Sequence, residues 1–139
     1  MKSSTDDDSP ELPVHPRAIV AGHGDFPEGM VSAVQQISGR GDVFRALSNR
    51  GLSGEDIETR LKQTAEETGA RVFFTDLPAG SATLAIRRMM REMPDVVLVT
   101  GVNLATLLEF VFQSDATAAA AAQQSVEKGR ASIAAFGPR

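Results

Sequence analysis

Cysteine is absent from the 139-residue sequence, which excludes disulfides, thiolate metal sites and cysteine nucleophiles. Tryptophan and tyrosine are absent as well, so of the usual base-stacking platforms only scattered phenylalanines remain. Positive charge does not make up for that lack. The net charge is −4, and residues 1–15 set Lys2 against Asp6, Asp7, Asp8 and Glu11, a contribution of −3 from that segment alone. The remainder is close to neutral, and no nucleic-acid partner is expected. No apolar run approaches the roughly 20 residues of a membrane-spanning helix. The acidic start of the chain also lacks the basic-then-apolar order of a signal peptide. A soluble, cytoplasmic protein is the expectation, with one domain large enough to bury a sizeable core.

Residues 1–15 combine Ser, Asp, Pro and Glu with little apolar content, which predicts a disordered acidic tail. His15, at its border, reads as an exposed bystander. The domain proper is expected over residues 16–139. It begins with the stretch on which the rest is organised, Arg17 to Gly29. Ala18 to Ala21 form an unbroken apolar run with two β-branched residues, the pattern of a buried strand. Gly22-His23-Gly24 turns the chain sharply, and a helix follows. Asp25 and Glu28 have capping-box spacing, Pro27 suits a first turn, and Met30, Val31, Val34 and Ile37 supply an apolar face that Gly39 should end.

The pattern then alternates. A short strand is expected within 42–47 around Val43 and Phe44, then a helix capped by Ser53 and stopped by Gly69. A third strand over 71–76 leads through Leu77-Pro78-Ala79-Gly80 to a helix that Ser81 is placed to cap. Ala82, Ala85, Ile86, Met89, Met90 and Met93 give that helix its buried face, and Pro94 ends it. Arg87, Arg88 and Arg91 fall on its solvated side. A fourth strand over 96–100 precedes a helix capped by Asn103 or Thr100, with Leu104, Leu107, Leu108 and Val111 inward. Asp115 is placed to cap an Ala-rich helix over 117–128 that Gly129 stops, and Ile133 to Phe136 has the composition of a short terminal strand.

Such alternation predicts an α/β fold, an open doubly wound sheet with right-handed crossovers. Ligands of such sheets sit beyond the carboxyl ends of the strands, where the strand order switches. With the common order 2-1-3-4, the loops Gly22-His23-Gly24 and 76–81 meet at the switch. His23 would then face Asp76 and Ser81. A neutral imidazole is a nucleophile at whichever ring nitrogen lacks a proton, and a carboxylate on the other nitrogen fixes the tautomer. Ser81 and the amides of a helix N-terminus suit phosphoryl oxygens. The competing reading of such residues is simple turn capping.

Three separated motifs give these residues a family context: Ile19 to Gly29, Asp76-Leu77-Pro78-Ala79-Gly80-Ser81, and Thr100 to Leu104 with Leu107-Leu108-Glu109. Over about residues 17–136 the sequence resembles the EIIA component of the mannose family of the bacterial phosphotransferase system, nearest the mannose and N-acetylgalactosamine branch. The resemblance implies that His23 is phosphorylated, that Asp76 is its partner carboxylate, and that Ser81 is the serine of the family's Gly-Gly-Ser-Pro turn. Gly24, Gly80 and Ser81 would form the phosphate-binding loop. Two departures stand out. Gly22 occupies a position that is often Thr, and the turn reads Ala79-Gly80-Ser81-Ala82.

The resemblance implies a phosphohistidine carrier that accepts its phosphoryl group from HPr and passes it to an EIIB component during sugar uptake. Its contact with the membrane would run only through the transporter. Neither a metal nor an organic cofactor is implied, because the phosphoramidate bond stores the transfer potential. Homodimers that exchange an antiparallel C-terminal strand are implied too, with 131–136 as that strand. Two alternatives remain at this level: the phosphotransfer subunit of dihydroxyacetone kinase, and a regulatory module read by its phosphorylation state.

Overall fold

A computed structural model describes residues 16–139; the expected tail and His15 lie outside the described residues. Four strands form one all-parallel sheet in the order β2-β1-β3-β4. They are β1 (Ala18–Gly22), β2 (Phe44–Ser48), β3 (Val72–Thr75) and β4 (Val97–Val99). Helices α1 (Phe26–Ser38), α2 (Gly54–Thr68), α3 (Ser81–Met89), α4 (Leu104–Phe112) and α5 (Ala118–Ala131) connect and flank them. The fold class and strand order match the expectation from the sequence. None of the described helices is long and apolar enough to cross a membrane.

The period of two along β1 divides the core. Ala18 and Val20 point with Phe74 to one face, where Val34 of α1, Leu107 and Phe110 of α4 and Ala121 and Ala122 of α5 cover them. Ile19 and Ala21 point with Phe73 to the other, under Ile57 and Leu61 of α2 and Ala85, Ile86 and Met89 of α3. The two central strands are therefore apolar at nearly every position, as a parallel sheet covered on both faces requires. Three rings lock the first face. Phe74 meets Phe110 edge-on at 5.1 Å between centroids, and Phe44 lies 5.7 Å from Phe110. Removing the Phe110 ring would cost about 3–5 kcal/mol, the usual loss for a buried aromatic cut back to Ala.

Several local expectations are corrected. Asp25 occupies the N-cap position of α1 but makes no side-chain cap; its carboxylate is taken by Arg50 Nη2 at 2.9 Å. Ile37 is 58% exposed, so the inward face of α1 ends with Val34. The segment 41–43 is a turn of 3₁₀ helix, and β2 starts one residue later, at Phe44. Gly80, not Ser81, is the N-cap of α3, and Ser81 is its first helical residue. That helix ends at Met89, before Pro94 is reached, and tightens into a turn in which the Arg91 amide bonds the Arg88 carbonyl at 3.2 Å and the Glu92 amide the Met89 carbonyl at 3.0 Å.

Around α4 and α5 the capping residues are settled by geometry. Asn103, not Thr100, caps α4 by accepting from the Thr106 amide at 3.0 Å. Thr117, not Asp115, caps α5 by accepting from the Ala120 amide at 3.1 Å. Gly129 does not stop α5, which continues to Ala131. Its role is close packing: a Cβ there would overlap the Thr106 hydroxyl, and the Gly129 carbonyl accepts from Asn103 Nδ2 at 2.9 Å. Beyond Ser132 no strand forms in the single chain. Ile133 is 75% and Phe136 97% exposed, and the segment pairs with no strand among the described residues.

Candidate functional site

The carboxyl ends of β1 and β3 lie side by side, since Ala21 pairs with Thr75. The register places the next turns together: Gly22-His23-Gly24 after β1 and the loop from Asp76 to Gly80 after β3. Gly24 holds a left-handed φ of 52°, which closes the first turn at little cost for a residue without Cβ. The second turn is anchored from behind. Thr83, buried in α3, donates to the Leu77 carbonyl at 2.6 Å and meets the buried Thr75 hydroxyl at 2.8 Å.

His23 and Asp76 come together as the sequence suggested. One carboxylate oxygen, Asp76 Oδ2, accepts the His23 backbone N–H at 2.9 Å and lies 2.8 Å from ring Nδ1. An ionised carboxylate only accepts, so Nδ1 carries the proton in this contact and Nε2 keeps its lone pair. The His23 side chain is 51% exposed and that of Asp76 only 12%. A partner protein can thus reach the ring, while the carboxylate stays shielded behind it. Partial burial is the largest influence on Asp76 and pushes its pKa upward. The two hydrogen bonds from His23, the attraction of its ring whenever that ring is protonated, and a backbone hydrogen bond of Asp76 itself together outweigh it, so the carboxyl is held below the ordinary aspartate value.

Glycine supplies the room for this contact. A Cβ at Gly22 would stand 2.7 Å from the Asp76 carboxylate, and one at Gly80 would stand 3.0 Å from His23 Cε1. The unusual glycine before the histidine therefore has a steric reason: the carboxylate occupies the space of its missing side chain. The Gly80 backbone lies against the imidazole edge, and Ser81 opens α3 directly after it. The first-turn amides of α3 and the positive end of its dipole face the same end of the sheet. Among the described residues no cluster of three or more His, Asp or Glu side chains is arranged for a metal ion.

One participant escaped the sequence reading. Asn49, in the loop after β2, donates its Nδ2 to Ser81 Oγ at 2.8 Å, and its backbone N–H donates to the Gly22 carbonyl at 2.9 Å. The following Arg50 reaches across the His23 turn to Asp25. The signal was present in the strand order: β2 neighbours β1, so its carboxyl-end loop must border the same site.

These residues fall within a family match. Residues 17–128 match the profile of EIIA-man, described as the PTS system fructose IIA component. The chain belongs to this family. It is a phosphotransfer component of a sugar phosphotransferase system, of the mannose-type EIIA class. Solved structures share its fold. The phosphotransferase system component EIIA from Streptococcus agalactiae superposes with a TM-score of 0.76 at 22% identity, covering 86% of this chain and 96% of that one. The mannose/sorbose-specific IIA subunit from Enterococcus faecalis gives a TM-score of 0.74 at 17% identity, over 90% of this chain and 97% of that one. The IIA protein associated with the fucose utilization operon of Streptococcus pneumoniae gives 0.73 at 22% identity, over 87% and 93% of the two chains. No curated protein sequence matches this EIIA chain.

Proposed function

We propose that His23 is the phosphoryl carrier of this EIIA, charged by HPr and discharged to an EIIB component. The observation that carries the reading is the double hold of Asp76 Oδ2 on the His23 amide and on Nδ1. With Nδ1 protonated, the lone pair of Nε2 attacks phosphorus. The new N–P bond forms as the N–P bond to the donor's imidazole breaks, and the donor ring leaves with that electron pair. The modified ring gains positive charge, which the Asp76 carboxylate stabilises without itself taking the proton. Ser81 and the first amides of α3 take up the phosphoryl oxygens, with Gly24 and Gly80 leaving their turns open to the incoming group. Discharge reverses these steps toward a histidine or cysteine on EIIB. The cytoplasm, where such donors are found, is the site of action on this reading, and no metal or organic cofactor takes part.

The same reading includes a homodimer. Ile133 and Phe136 lie exposed beyond α5, and β4 is paired only on the β3 side among the described residues. An exchanged antiparallel strand from 131–136, shortened at its start because α5 runs to Ala131, would cover both.

Incubation with phosphoenolpyruvate, the upstream enzyme and HPr tests the carrier role. The acid-labile phosphate should map to His23, and His23→Ala should accept none. Phosphate on His15, or a His23→Ala protein charged as fast as the parent, overturns the assignment.

A further inference from the structure

We propose that Asn49 is a positioning residue for phosphoryl transfer, acting through Ser81; this rests on the carrier role of His23. A serine hydroxyl has one proton and two lone pairs, whereas the amide nitrogen of asparagine has only protons to give. In the contact between Asn49 Nδ2 and Ser81 Oγ, 2.8 Å long, the serine is therefore the acceptor. This contact leaves its single proton unspent. That proton is what a phosphoryl oxygen requires, because the transferring group spreads its negative charge over three equatorial oxygens that can only accept. Without the asparagine, the Ser81 hydroxyl is free to rotate and to donate to nearby backbone carbonyls, as serines in helix termini commonly do.

The position of Asn49 is itself fixed from the histidine side. Its backbone N–H bonds the carbonyl of Gly22, the residue directly before His23, at 2.9 Å. Its carbonyl accepts from the Leu52 amide at 3.1 Å, closing the loop. One residue thus ties the strand end that carries the nucleophile to the hydroxyl that opens α3. The loop after β2 becomes a third wall of the site, and its amide sets which way the serine proton points.

A double-mutant cycle on the full chain separates positioning from plain packing. The readout is the rate of phosphoryl transfer from phosphorylated HPr, with KM and kcat measured apart. Asn49→Ala should lower kcat about fivefold to tenfold, the span of one net hydrogen bond of ~1–1.4 kcal/mol, with KM for HPr changed less than twofold. In a Ser81→Ala background the same substitution should change kcat by less than twofold, since no hydroxyl is left to orient. Equal losses in both backgrounds, or no loss in either, overturn the proposal. Should Asn49→Ala fold poorly, Asn49→Asp keeps the shape but offers only acceptor oxygens beside Ser81. Its loss must then be several-fold larger with Ser81 present than in the Ser81→Ala background, where its charge acts alone; equal losses again defeat the idea. A parent chain that takes no phosphoryl group on His23 defeats the proposed function and this inference together. A chain that is phosphorylated there but shows additive losses defeats this inference alone.

Discussion

The cluster around His23 and the segment after α5 show opposite degrees of completion within one chain. At the first, three loops meet and nearly every polar group has a partner: Asp76 on His23, Asn49 on Ser81 and Gly22, Arg50 on Asp25. At the second, Ile133 and Phe136 stand uncovered, although both have the bulk of core residues. Local register and short turns suffice to build the first. The second pairs with no strand among the described residues. The contacts of His23, Asp76, Asn49 and Ser81 are thus all made inside a single chain.

Asp76→Asn strikes the complete region hardest. It keeps the shape of the side chain but removes the charge, and its amide can present a donor to Nδ1 and favour the wrong tautomer. Transfer to His23 should slow by on the order of a hundredfold or more, with the fold retained by circular dichroism. An unchanged rate would reduce Asp76 to a turn residue. The same variant has a signature in acid. Asp76 is held below the ordinary aspartate value in the folded chain. Its contribution to stability is therefore full above that ordinary value and is lost as pH falls through the lowered one. Melting temperatures of parent and Asp76→Asn should converge on acidification across that window; curves that stay parallel would show that the carboxylate adds no pH-dependent stability.

Gly22→Ala tests the steric part of the same region. Its Cβ would meet the Asp76 carboxylate at 2.7 Å, so either the carboxylate or the strand end must shift. A loss of about 1–3 kcal/mol is expected, the usual cost of overpacking, together with roughly tenfold slower transfer as the His23 hold loosens. Parent-like stability and rate would mean that the carboxylate moves aside freely. Removing residues 133–139 addresses the other region and should affect the chemistry least. Light scattering should report monomers in place of dimers, while phosphorylation of His23 by HPr stays within about twofold of the parent. A truncated chain that remains dimeric counts against strand exchange.

Sequence alone revealed most of what long-range order decides and least of what single hydrogen bonds decide. The apolar run of β1, the helical faces of α2 and α3 and the regular alternation were enough for the parallel sheet, because these patterns repeat; its order enters only as the common arrangement, which the structure matches. His23 and Asp76 stood out by their places after strand ends, Ser81 by its place at a helix start, and all three through the family motifs. The capping assignments were less so. Asp25 is drawn off its helix by Arg50, and Thr117 prevails over Asp115 by two positions, choices that depend on neighbours distant in sequence or on one turn's geometry. Gly129 looked like a helix stop because glycine usually is one. Only the approach of Thr106 from α4 shows that the missing side chain matters more there than the backbone freedom. Asn49 sat in a loop with no motif of its own, and its meaning appears only when β2 is set beside β1.

The double hold of Asp76 on His23 also dictates traffic. An imidazole fastened at its backbone and at Nδ1 turns one remaining ring nitrogen, Nε2, to the outside. On the proposed reading, the protein that loads the ring and the protein that unloads it must stand in the same place and cannot be present together. Each should act as a competitive inhibitor of the other, and turnover should follow a ping-pong pattern with parallel double-reciprocal lines. A carrier so constrained works as a turnstile, and its throughput in the cell depends on how quickly one visitor leaves before the next arrives.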